Sequence, residues 1–295
     1  MAISEQQLET WSKQGPTGQF TATYETLRTL LSDSSSPYYL KDFEIFLQGS
    51  YKNTTNIYGD SDVDVVIRLD SIFYTDLYFL TDEEKARYNA QRSGSTYSLD
   101  EFKASVIAWL VQRYGSDVRP GKKAVFLKGN GTRRDADVLV CAKLRRFYAF
   151  PAYGDPNYVD GICFFLPDGT RVENYPEKHS GNCTAKHQET RQWFKHTVRI
   201  LKNLRNTMVE KKIIADGLAP SYFIEGMLYN VPTDRFGGTE QLSFNDVLTW
   251  LLAANRSEFV CANQQFKLLG NGHMTWPAAN CTAFLNAVNA YNNSV

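Results

Sequence analysis

The chain has no excess of charge of either sign: Lys plus Arg and Asp plus Glu number 32 each in 295 residues. That balance excludes a global positive field of the kind that holds long nucleic acid, so a small substrate is expected. No apolar run approaches the ~20 residues that span a bilayer. The first residues, Met1-Ala2-Ile3-Ser4-Glu5-Gln6-Gln7, lack the basic and apolar regions of a secretory signal. A soluble, cytoplasmic protein without a membrane partner is expected. Cysteine is scarce too: Cys141, Cys163, Cys183, Cys261 and Cys281 form an odd set of five without paired spacing, which argues against a disulfide framework and suits reduced thiols. No internal repeat or long low-complexity segment is present, and the length suffices for one large domain or two lobes.

What the chain does contain is a run of chemistry in a fixed order. An apolar stretch, Phe43 to Leu47, leads into Gln48-Gly49-Ser50; a polar loop comes next, then Asp62-Val63-Asp64-Val65-Val66-Ile67. Side chains alternate along a strand, so Asp62 and Asp64 project together while Val63 and Val65 pack on the opposite face. Two carboxylates so placed suit divalent cations that complete their shells with substrate phosphates. Glycine lets a backbone approach phosphate closely, and the Ser50 hydroxyl can donate to it. An isolated Asp-x-Asp pair is commonly a solvated strand end; the strand, Gly-Ser turn, loop and second strand in sequence mark a nucleotidyltransferase.

Transfer of this kind calls for a third carboxylate on a neighbouring strand. Lys122 to Leu127 reads as a strand, Gly129-Asn130-Gly131 as a turn, and Asp137-Val138-Leu139-Val140-Cys141 as the returning strand. Asp137 opens it as Asp64 opens Val65-Val66-Ile67. Asp135 shares its parity and is the alternative.

These motifs resemble the Pol β-like nucleotidyltransferase superfamily, and within it the cGAS/DncV-like nucleotidyltransferases. Gly49, Ser50, Asp62, Asp64 and Asp137 fill that family's pattern. The likeness extends through Thr170 to Pro176, His179, Asn182, Lys186, the helix carrying Phe194-Lys195 to Lys202, and Ser221-Tyr222. Together these are similar to the bacterial clade E enzymes and cover most of the chain.

The resemblance implies an α+β fold: a Pol β-like core of mixed sheet and helices at 1–185, and a long connecting helix with a helical second lobe at 186–295, the two sharing a cleft. It implies synthesis of a cyclic di- or trinucleotide messenger from nucleoside triphosphates, with pyrophosphate released. The messenger would act through an effector protein in anti-phage defence. Two magnesium ions, with manganese as a substitute, are expected on Asp62, Asp64 and Asp137. Gly49, Ser50, Lys202 and Ser221 are expected at the triphosphate, Tyr222 under a base, and Asn174 at the base edge, where its donor and acceptor fit uracil. A monomer is expected. Transfer to another acceptor (an antibiotic, a protein or an RNA end) and a non-catalytic nucleotide-binding regulator are the alternatives.

Other features read from the residues alone. Thr21 to Leu31 and Leu80 to Arg113 are expected as helices, and Gly161 to Leu166 with Thr170 to Tyr175 as a hairpin around Pro167-Asp168-Gly169. Lys186 to Lys212 is expected as one long helix with an apolar stripe (Phe194, Val198, Leu201, Leu204, Met208) and a basic one (Arg191, Lys195, Arg199, Lys202). A basic stripe is ordinarily solvated. Ser221 is a natural N-cap after Asp216-Gly217-Leu218-Ala219-Pro220. His179, Cys183 and His187 recur every four residues, but zinc wants a fourth ligand and none is near; His179 is expected to cap or orient the loop entering the next helix.

Overall fold

Aliphatic and β-branched residues dominate two long strands, β2 (Val63–Asp76) and β5 (Ala136–Ala149), which pair in parallel. The computed structural model that contains them describes residues 2–59, 62–272 and 274–294. β1 (Phe43–Leu47) runs antiparallel to β2. β4 (Val125–Leu127) pairs with the start of β5 and with β3 (Val118–Pro120), while β6 (Asn157–Phe165) pairs with the far half of β5 and carries β7 (Arg171–Asn174). Among the described residues the sheet has seven strands, in the path β1-β2-β5-β4-β3 with β6 branching from β5 and β7 pairing with β6. Val63, Val65, Val66 and Ile67 are all fully buried, so the first half of β2 is covered on both faces, as a parallel pair requires. Against this sheet lie α2 (Gly18–Leu31) and α5 (Leu99–Tyr114), and the Trp109 indole N–H donates to the Leu30 carbonyl at 2.9 Å to join the two helices.

The helix expected over Leu80 to Arg113 is two helices, α4 (Asp82–Gln91) and α5. Each begins in a capping box, Thr81 with Glu84 and Ser98 with Glu101, and these reciprocal caps fix two separate starts.

The remaining helices are α1 (Glu5–Ser12), the single turn α3 (Gly49–Lys52), α6 (Pro176–Glu189), α7 (Trp193–Glu210), α8 (Ser221–Tyr229), α9 (Glu240–Ala253) and α10 (Ala278–Ser294). The apolar stripe of α7 is buried at every predicted position, with Ile224, Met227, Phe244, Leu251, Trp276 and Phe284 around it. The long helix expected from Lys186 is broken: Arg191 and Gln192 take φ of 50° and 75°, a left-handed conformation that ends α6 and restarts the chain as α7. All five cysteines are buried free thiols. Among the described residues no helix is long and apolar enough to cross a membrane.

Two compact units divide these elements. A sheet unit comprises Thr17–Gln48 and Asp62–Pro176; a helical unit comprises Met1–Pro16, Gly49–Ser61 and Glu177–Val295. The units interleave in sequence, in contrast to the single cut at 185/186 that the resemblance implies. The Gly-Ser segment belongs with the helices although both of its flanks belong with the sheet.

Candidate active site

Parallel pairing of β2 with β5 sets Asp64 directly opposite Asp137. Paired residues on adjacent strands share a face and sit about 5 Å apart. The register is held by the Val63 N–H donating to the Asp135 carbonyl at 3.0 Å, and by the Gln48 N–H donating to the Asp64 carbonyl at 3.1 Å. Asp62 is exposed, while Asp64 and Asp137 are half-buried. Burial, then the charges of Asp62 and Asp135, push the Asp137 carboxyl above the usual carboxylate range. Asp135 has a different task. Its Oδ1 accepts from the Gly129 N–H at 2.6 Å, closing a turn so tight that a Cβ on Gly129 would lie 2.6 Å from the Arg133 carbonyl oxygen. Of the two acids with matching parity, Asp137 is the one opposite Asp64.

The donor types suit a hard divalent cation: carboxylates on two neighbouring strands, with the Asp137 proton affinity raised by burial first and then by the charges of Asp62 and Asp135.

In the helical unit, the segment after Gly49 is held from inside. Gly49 has φ of 71°, which favours glycine. The Asn53 N–H then donates to the Gly49 carbonyl, and the Thr55 N–H to that of Ser50 at 2.9 Å. Ser50 itself is half-buried. Glu225 of α8 anchors the next stretch, Asn53 to Thr55. Its carboxylate accepts from the Asn53 side-chain amide at 3.0 Å, from the Thr55 hydroxyl at 2.5 Å, and bonds His179 Nε2 at 2.6 Å. Burial alone would raise the Glu225 carboxyl, but the bonds from His179 and Thr55 and the Lys202 charge outweigh it and hold it below its ordinary value. Sequence reading missed Glu225, Asn53 and Thr55. The available signal was one carboxylate among the apolar residues of Ser221-Tyr222-Phe223-Ile224-Glu225-Gly226-Met227-Leu228.

Of the basic stripe, Lys195, Arg199 and Lys202 lie on α7 and are buried, whereas Arg191 precedes the helix and is exposed. Lys202 is fully buried, and its ammonium donates to the Thr55 carbonyl at 3.0 Å. Lys195 donates to the Thr54 hydroxyl at 2.9 Å and Arg199 to the Thr54 carbonyl at 2.7 Å; burial lowers the Arg199 guanidinium to about 10. Lys202 thus has an internal acceptor. Lys202 holds the segment that carries Ser50.

Ser221 is the first residue of α8, not its cap. Pro220 stands at the N-cap, and the Ser221 hydroxyl accepts from Arg205 at 3.2 Å. The Tyr222 ring stacks on His179 with centroids 4.9 Å apart, and its hydroxyl accepts from the Asn263 amide at 2.9 Å. Asn174 ends β7 half-buried in the sheet unit, and its Oδ1 accepts from the Tyr175 N–H at 2.8 Å. Among the described residues, His179, Cys183 and Glu225 bring potential ligand atoms within 4.8 Å of one another; the three aspartates are not in such a group. Both Glu225 oxygens are already engaged by Asn53, Thr55 and His179, so that trio reads as a hydrogen-bonded core. His187, the third residue of the histidine-cysteine pattern, instead accepts from the Lys195 N–H through Nδ1 at 3.2 Å. His179 likewise bonds Glu225 instead of orienting a loop.

Residues 181–293 match the family model of the cGAS/DncV-like nucleotidyltransferase C-terminal helical domain. The chain is 42% identical to the cyclic UMP-AMP synthase of Rhodothermus marinus, over 97% of this chain and 96% of that one. It is 35% identical to a cyclic dipurine nucleotide synthase of Elizabethkingia meningoseptica, over 92% of each. The structure of the Rhodothermus marinus CdnE synthase with Apcpp and Upnpp superposes with a TM-score of 0.88 at 39% identity, covering 98% of this chain and 96% of that one. The Pol β-like sheet with its helical domain, the signature on β1 and β2, and these near full-length matches agree: the chain belongs to the cGAS/DncV-like nucleotidyltransferases.

Proposed function

We propose that this protein joins two nucleoside triphosphates into a cyclic dinucleotide messenger, with UTP used in at least one position. The observation that carries the reading is the β2–β5 register, which sets Asp64 opposite Asp137 with Asp62 close enough to perturb it. Near full-length identity to a cyclic UMP-AMP synthase supports the product class.

In each of two rounds a ribose hydroxyl oxygen attacks the α-phosphorus of a triphosphate. A phosphodiester forms, the α–β phosphoanhydride breaks, and pyrophosphate leaves; the second round closes the ring. Asp137, with its raised proton affinity, suits the side of the hydroxyl that gives up its proton. Asp62, Asp64 and Asp137 would hold magnesium, or manganese in its place, which when bound supplies positive charge to the attacking and leaving oxygens. Gly49 and Ser50 are assigned to the triphosphate, with Ser221 toward phosphate and Tyr222 under a base. Asn174 is assigned to the base edge, where a pyrimidine leaves room for its side chain. Lys202 is assigned to positioning the Ser50 segment through Thr55. The product would activate an effector protein in bacterial anti-phage signalling.

The test is incubation of purified protein with the four α-labelled triphosphates and magnesium, without acceptor. A phosphatase-resistant product containing uridine, with two pyrophosphates released per molecule, is expected. Label that stays phosphatase-sensitive, or no pyrophosphate, would overturn the reading.

A further inference from the structure

The sheet unit contains a cavity of about 660 Å³ at the far ends of β2 and β5. Arg145 in its wall lies eight residues beyond Asp137 on β5, roughly 26 Å away at about 3.3 Å per residue. That is farther than one nucleotide reaches. The cavity is therefore separate from the strand ends that carry the aspartates.

Its wall combines rings and cations. Phe73, Phe147 and Tyr158 line it together with Arg92, Arg145 and Arg171, and no Asp or Glu is among the lining residues. The Arg145 guanidinium sits between two of the rings, 4.5 Å from the Phe73 centroid and 4.6 Å from that of Tyr158. Such a stack fixes the guanidinium plane. Phe73 and Tyr158 are nevertheless 43% and 36% exposed, so each keeps ring surface in the solvent. Asp160 approaches Arg145 Nε at 3.4 Å, but that buried nitrogen makes no hydrogen bond, and the carboxylate is shared with Lys143. Arg171 donates to the Thr75 carbonyl and pairs with Glu173, which Arg146 also contacts; its buried Nε is likewise without a hydrogen-bond partner.

Each component narrows the ligand. Arg92, Arg145 and Arg171 outnumber the two carboxylates, Asp160 and Glu173, that pair with them, so the wall rejects a metal cation and favours an anion. An inorganic anion would leave the exposed rings unused, and a neutral aromatic molecule would leave Nε of Arg145 and of Arg171 without a hydrogen-bond acceptor. The volume suits a small organic ligand and is too large for a lone phosphate. A planar base joined to a phosphate uses both halves, since base-on-ring stacking and guanidinium-phosphate pairing are the two strong contacts such a ligand makes.

We propose that this cavity is a second nucleotide site, distinct from the one that performs transfer, with Arg145 as its phosphate contact and Phe73 and Tyr158 as its base platform. The site requires no turnover, so its failure and that of the proposed synthesis are distinguishable.

The experiment is equilibrium dialysis of the full-length Asp64→Asn protein with labelled ATP or UTP in EDTA, which removes both turnover and metal-assisted binding. Saturable binding is expected, weakened roughly tenfold by Arg145→Ala or Phe73→Ala. Arg145→Lys keeps the charge and loses the stacked plane; it should weaken binding too, while its melting temperature confirms the fold. Absence of saturable binding at millimolar nucleotide, or equal binding by the Arg145 and Phe73 variants, overturns the proposal. Competition by inorganic pyrophosphate as strong as that by nucleotide also overturns it, since the rings would then contribute nothing.

Discussion

Asp137 of the sheet unit and Glu225 of the helical unit are both withdrawn from water, and they respond in opposite directions. Asp137 faces burial and two like charges, which raise its proton affinity. Glu225 is more deeply buried, yet His179, Thr55 and Lys202 more than offset that burial and lower it. Folding gains from the Glu225 charge and loses from that of Asp137. A carboxylate satisfied by its own chain serves structure, whereas one kept at a cost to the fold is available to a ligand.

The largest effect expected is on chemistry. Asp62→Asn or Asp64→Asn should cut pyrophosphate release at least about a hundredfold, since each removes a formal charge without changing shape. Asp135→Asn should loosen the Gly129 turn and leave most activity. If it is the inactivating variant, Asp137 has been assigned Asp135's role.

Glu225 should behave in the opposite manner. Glu225→Ala takes the acceptor from the buried Asn53 amide and His179 Nε2, leaves Thr55 only its long bond to the Ser50 carbonyl, and should destabilise the fold by roughly 3 kcal/mol in denaturant unfolding. Glu225→Gln should do so less. The pH dependence has a definite sign: because the folded carboxyl is lowered, its contribution is complete above the ordinary glutamate range and lost as pH falls below it. The gap in melting temperature between wild type and Glu225→Gln should shrink across that acidic window; a gap that widens there would contradict the network.

Lys202→Ala sharpens the same contrast on the helical side. A cation that positions Thr55 should, when removed, lower the melting temperature and raise the apparent KM for triphosphate several-fold together. A raised KM with unchanged melting would return Lys202 to direct phosphate contact. The smallest change expected in total rate is that of Asn174→Ser, which should alter base composition toward purine; products of unchanged composition would remove Asn174 from base selection.

Much of the strand and turn chemistry was legible because its signals are local. Gly49-Ser50, the Asp62/Asp64 alternation and the Gly129-Asn130-Gly131 turn each lie within a few residues. The opposition of Asp64 and Asp137 joins segments more than seventy residues apart, and alternation could supply only the parity. The split of α4 from α5 had a readable signal in Ser93-Gly94-Ser95 and in Ser98 with Glu101. The split of α6 from α7 had none of that strength, since Arg191 and Gln192 enter the left-handed region without glycine or proline. For the basic stripe, periodicity gives a face and not its surroundings. Lys195, Arg199 and Lys202 are buried by a segment about 150 residues earlier.

One variant tests both halves of the contrast. Asp137→Asn, melted in EDTA and assayed for pyrophosphate release with magnesium and triphosphates, should melt above wild type and release no pyrophosphate, because the charge that burdens the fold is the charge the reaction uses. A protein that melts lower and still turns over would contradict the account.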